Sequence, residues 1–220
     1  MVANRYQRAG RAAGWLLMAT LALIVLAYAV IMLVTRAFPE QLQPSFQAHS
    51  LAISVHIGGS LLTLALGPFQ FVARLRGRYP ALHRWMGRAY LVSVLVGGLG
   101  GLYMAMFSSG GMVAHLGFAG LALAWLLSGA IAYRAIRARR IAEHRRWMVR
   151  NFAATFAAVT LRLWMPLLII AAHLPFSVAY PLVAWLAWVP NLVLAELGIR
   201  YLARRGQPQP HARLSGGASL

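Results

Sequence analysis

The chain has 220 residues, 60% of them hydrophobic and only 11% charged, which is more apolar surface than one soluble core of this size can hide. All 21 basic residues are arginine, against three acids (Glu40, Glu143 and Glu196), for a net charge of +18. The arginines cluster in alternate loops, as membrane topology requires, so nucleic acid is excluded as a partner, and the lack of cysteine excludes disulfides, thiolate nucleophiles, iron-sulfur clusters and covalently attached c-type haem.

The first element follows Arg5, Arg8 and Arg11 as an uncharged run over 12–35. Ala27-Tyr28-Ala29 resembles a signal cleavage site, but the apolar run continues past it, so the segment reads as a membrane anchor. Further apolar spans are expected at 48–72, 86–108, 112–134, 150–172 and 177–201. The fold class is therefore all-α: a polytopic membrane protein with six transmembrane helices and a single domain over 1–205. The tail 206–220 carries too little apolar content to order itself.

Arginine sets the expected orientation. Three arginines precede the first span, five lie at 74–88, seven at 134–150 and four at 200–213, while the other loops hold only Arg36. Such a bias predicts both termini in the cytoplasm, a place in the inner (plasma) membrane and attraction of the basic loops to anionic lipids. Trp85 and Trp147 fall at the expected cytoplasmic interface, where an amphipathic ring anchors a helix.

His83 to Tyr90 (HRWMGRAY) recurs as His144 to Phe152 (HRRWMVRNF) with one inserted arginine, each copy leading from a basic loop into a helix. Spans two and three thus read as a copy of spans four and five, a parallel two-helix repeat. Interfacial chemistry alone can also produce so short a match. The stretches HIGGSLLTLALGPFQF from His56, LHRWMGRAYL from Leu82, HRRWMVRNFAATFAAVTLRLW from His144 and PNLVLAEL from Pro190 resemble the prokaryotic membrane family catalogued as domain of unknown function 2306. The resemblance covers about 48–197 and implies a multi-pass membrane fold without naming a chemistry.

Candidate metal ligands are histidines. His56 in span two and His115 in span four form an outer pair, and His83 and His144 an inner pair at the starts of spans three and five. This layout resembles that of di-haem transmembrane cytochromes of the b561 type, in which facing imidazoles bind haem b axially and small residues flank the macrocycle. Arg84, Arg88, Arg145, Arg150 and Arg162 are the candidate partners of its propionates. The inner pair falls at or before the expected helix starts, and His49, seven residues before His56, competes for the outer role. Glycine-rich spans also serve helix packing, and interfacial His-Arg-Trp segments also contact lipid phosphate.

Arg162 lies inside span five, where a charge costs about 2.5–3.5 kcal/mol on insertion scales and calls for a partner or a polar cavity. Counting rise per residue places Asn191 and Glu196 of span six at or below its depth, so a buried polar network of Arg162, Asn191 and Glu196 is expected. Three functions fit these features: haem-based electron transfer with a quinone or other redox partner, transport of a small solute, coupled to protons or not, and a non-catalytic subunit or lipid-interacting scaffold. No catalytic motif is recognisable.

Overall fold

The computed structural model describes residues 2–35 and 40–205; the expected tail, with His211, lies outside them, as does Arg36. Apolar runs with few internal breakers become helices: α1 (Val2–Thr35), α2 (Gln43–Ala48), α3 (Ser50–Gln70), α4 (Ala73–Arg78), α5 (Pro80–Ala105), α6 (Gly111–Arg137), α7 (Ile141–Thr155), α8 (Ala157–Pro166), α9 (Phe176–Leu186) and α10 (Val189–Arg205). No strand occurs among the described residues. Six segments there are long and apolar enough to cross a membrane: Ala12–Thr35, Ser50–Gln70, Pro80–Ala105, Gly111–Arg137, Ile141–Ala171 and Phe176–Arg204.

Two boundaries differ from expectation in a way that matters. Pro80 opens α5 six residues earlier than the apolar run, because proline suits a first helical turn, and α7 likewise starts at Ile141. His83 and His144 are therefore each the fourth residue of a helix and not loop residues. The α6–α7 turn is tight: Arg139 adopts a left-handed conformation (φ 59°) and the Arg140 N–H reaches back to the Ala135 carbonyl at 2.9 Å.

The last two spans are broken. Span five is α7 and α8 joined at Phe156, ending after Pro166 in a π turn over Leu167–Ala171; span six breaks between α9 and α10, just ahead of Pro190. The breaks are tied together. Thr160 donates to the Ala187 carbonyl at 2.5 Å, and the Asn191 amide donates to Thr160 Oγ1 at 3.0 Å and to the Ala187 and Ala153 carbonyls at 2.9 and 3.2 Å.

α3 packs along α5, and α6 along α7, as a two-helix repeat requires. The α3–α5 crossing is a backbone contact: a Cβ on Gly59 would stand 2.7 Å from Gly97, so only glycine permits this approach. The repeat is also visible in detail, with the Arg88 guanidinium over Trp85 (4.9 Å) and the Arg150 guanidinium over Trp147 (4.6 Å) at equivalent places. Tyr90 and Phe152, equivalent again, share one core cluster with Val94, Trp125 and Ala154.

Candidate functional site

Residues of α1, α3, α5, α6, α7, α8 and α9 line a partly open cavity of about 340 Å³. It runs from Ser45 and Ser108 at the arginine-poor end to Trp125 and Thr155 near the middle of the bundle. Its walls are mainly apolar, with aromatic rings from Phe118, Trp125 and Tyr180. His56 and Arg162 supply its two basic groups and lie within electrostatic reach of one another. A second hollow, around His49 and Tyr103, is more open to the surface.

His56 is held by chemistry that a glycine makes possible. Its Nδ1 lies 2.8 Å from the Gly97 carbonyl, and since a carbonyl only accepts, Nδ1 carries the proton and Nε2 is left as the free nitrogen. His49 sits just before α3 with its ring against Tyr103 and Phe107, and of the two competing outer histidines it is His56 that lines the cavity.

Arg162 Nη1 donates to the Ala158 carbonyl of its own helix at 2.7 Å, and the guanidinium lies 5.4 Å from the centre of the Tyr28 ring. Its Nε is buried with no hydrogen-bond partner, and no carboxylate pairs with it among the described residues. A buried N–H left unpaired costs about 1–3 kcal/mol, on top of the cost of placing the charge at this depth.

The expected network of Arg162, Asn191 and Glu196 does not form. Glu196 accepts from Arg150 at 2.6 and 3.0 Å and from Arg200 at 2.9 Å, and Asn191 bonds Thr160. Azimuth keeps them apart: Arg162 is two residues from Thr160 and so points about 200° around the helix from it, while Glu196, five residues from Asn191, is about 140° away. The coupling should follow suit. Unfolding in detergent should show Arg162→Leu and Glu196→Leu adding to within about 0.5 kcal/mol, whereas Arg150→Met and Glu196→Gln should couple by about 0.5–1 kcal/mol, the range for a partly exposed pair.

The other expected site residues stay apart from the cavity. His115 Nε2 donates to the Ser108 carbonyl at 2.8 Å, and His144 Nδ1 to the Ala132 carbonyl at 2.9 Å. His83 Nδ1 is buried without a partner, near Arg76, Arg84 and His144. Arg84, Arg88 and Arg145 are exposed at the arginine-rich end. No group of three or more metal-ligating side chains occurs among the described residues.

Several residues around the site escaped sequence reasoning. Tyr28 sits in a uniform apolar run with nothing to mark its facing. Asn151, second residue of the expected fifth span, reads there as an interfacial amide, yet it is fully buried: it accepts from Tyr90 Oη at 2.8 Å and donates to the Trp125 carbonyl at 2.7 Å and Ser128 Oγ at 2.9 Å. Thr155 Oγ1 completes the cluster, receiving Trp125 Nε1 at 2.8 Å. Trp125 and Thr155 of this cluster line the inner end of the cavity.

A six-span helical bundle with a partly open cavity among its spans defines a class of integral membrane proteins. Residues 53–199 match the family described as Predicted membrane protein (DUF2306), and the chain belongs to that family. No curated protein and no solved structure matches the chain.

Proposed function

We propose that the protein binds a small amphipathic solute inside the inner membrane and carries it across. With the arginine-rich end in the cytoplasm, the cavity opens toward the external face. The supporting observation is the cavity wall itself, in which a basic side chain without a carboxylate partner stands among apolar and aromatic surfaces, the composition of a small-molecule site. The break in span five at Phe156, flanked by the cavity-lining Thr155 and Ala157, puts irregular backbone beside that cavity, where carrier folds tolerate it.

Haem-linked electron transfer is the second reading, favoured by one observation: His56, His115 and His144 each give one ring N–H to a main-chain carbonyl, as ligating imidazoles do. Only His56 of the four lines the cavity.

One preparation tests both. Protein in phosphatidylcholine nanodiscs should gain about 5 °C or more in Tm from at least one solute in a panel of acidic, neutral and basic small aromatic compounds at saturating concentration. Filling the cavity with Ala158→Phe should remove the gain. A panel without effect on the wild type overturns the solute reading, and a Soret band with sharp reduced α and β bands, lost in His56→Ala, establishes haem instead.

A further inference from the structure

We infer that the cavity takes an organic monocarboxylate with an apolar, ring-sized body, its carboxylate seated on Arg162; this rests on the solute-binding reading above. The charge argument comes first. Of the three acids, Glu143 is paired with Arg140 at 3.0 Å, Glu196 with Arg150 and Arg200, and Glu40 lies in the turn Glu40–Leu42 and does not line the cavity. Nothing among the described residues neutralises Arg162, so the anion that matches it comes with the ligand.

Geometry narrows the class. Nη1 is already committed to the Ala158 carbonyl and the guanidinium face to Tyr28, which leaves the edge carrying Nε and Nη2 without an acceptor. Two parallel N–H groups on that edge match the two oxygens of a carboxylate, a pairing that a single-point anion cannot use as well. Size narrows it again. At about 30 Å³ per water-sized unit, about 340 Å³ holds roughly a dozen non-hydrogen atoms. Phe118, Trp125 and Tyr180 line the cavity and suit a flat or branched apolar body better than a long acyl chain.

The test compares three probes of one shape, 2-naphthoate, 2-naphthol and 2-naphthylmethylamine, titrated calorimetrically into protein in nanodiscs of phosphatidylcholine alone, so that no lipid supplies a net anion. The wild type should bind 2-naphthoate at least tenfold more tightly than 2-naphthol and the amine most weakly. Arg162→Gln should bring 2-naphthoate down to the level of 2-naphthol, and Arg162→Lys, which keeps the charge and loses the fork, should fall between. Equal binding of acid and alcohol by the wild type overturns the carboxylate assignment and leaves the cavity reading standing. If no probe binds and the Ala158→Phe variant behaves as the wild type does, both fail. The wild-type comparison needs no variant to fold.

Discussion

Replacing Gly59 by valine should abolish the folded protein, while the same change at Gly58, its chain neighbour, should pass almost unnoticed. A Cβ on Gly59 would lie 2.7 Å from both Cα and N of Gly97 and 2.9 Å from the Ser93 carbonyl, all of them backbone atoms of α5. Side chains can rotate out of an overlap; a helix backbone moves only as a unit. Overpacking a core usually costs about 1–3 kcal/mol, and here the whole α3–α5 contact must open, so the loss should exceed that range. About 100° around α3, a Cβ at Gly58 meets nothing within 4 Å, and the cost there should stay within about 1 kcal/mol, the helix-propensity scale. The monodisperse fraction of a fluorescent fusion in mild detergent, measured by size-exclusion chromatography, reads both. Comparable yields of the two variants would show that α3 and α5 do not cross at these glycines. The same crossing positions His56 against the Gly97 carbonyl, so Gly59→Ala, even where it folds, should weaken solute binding as well.

The glycine-rich spans show what is legible in a sequence and what is not. Gly58, Gly59, Gly97 and Gly98 announce that something comes close; whether it is a macrocycle or a helix depends on which way each faces. The structure answers with a helix at Gly59 and Gly97. The six spans were legible because a bilayer demands long apolar runs, and the repeat because equivalent Trp and Arg residues recur at fixed spacing.

Pairing across helices was not legible. His56 and His115 are nearly equivalent in the repeat, yet one turns to a glycine carbonyl on α5 and the other folds back to the Ser108 carbonyl in the loop before its own helix. Arg162 shows the same limit: rise per residue fixes how deep a side chain lies, but two residues of helix reverse its facing. Partners that are main-chain carbonyls leave no mark in composition at all, and three of the four candidate histidines have such partners.

Asn151→Leu should destabilise the protein by about 2–4 kcal/mol, the largest effect expected from any single polar side chain in the bundle. Its amide joins three helices, with Tyr90 on α5, Trp125 and Ser128 on α6, and its own α7, and it is fully buried. A single side-chain hydrogen bond inside a membrane protein averages only about 0.6 kcal/mol, because chains unfolded in the bilayer also find partners. Three bonds from one residue raise the total, and so does the loss of an acceptor for Tyr90 Oη and of a donor for Ser128 Oγ and the Trp125 carbonyl, in a place water does not reach. Tyr90→Phe should cost less, about 1–2 kcal/mol: it strands one amide oxygen and removes the Tyr90–Thr155 contact of 2.9 Å, but Thr155 Oγ1 keeps Trp125 Nε1 at 2.8 Å and Asn151 Nδ2 keeps both its acceptors. If the cluster acts as a unit, the double variant should fall short of the sum of the singles. Thr63→Val is the control: Thr63 is equally buried, but its hydroxyl bonds only the Gly59 and Ser60 carbonyls of its own helix, so its loss should stay below about 1 kcal/mol. Denaturant unfolding in mixed micelles, followed by tryptophan fluorescence, measures all four variants. An Asn151→Leu protein as stable as Thr63→Val would mean that packing alone holds α5, α6 and α7. Because Trp125 and Thr155 belong both to this cluster and to the cavity floor, Asn151→Leu should also loosen solute binding in whatever folded fraction survives.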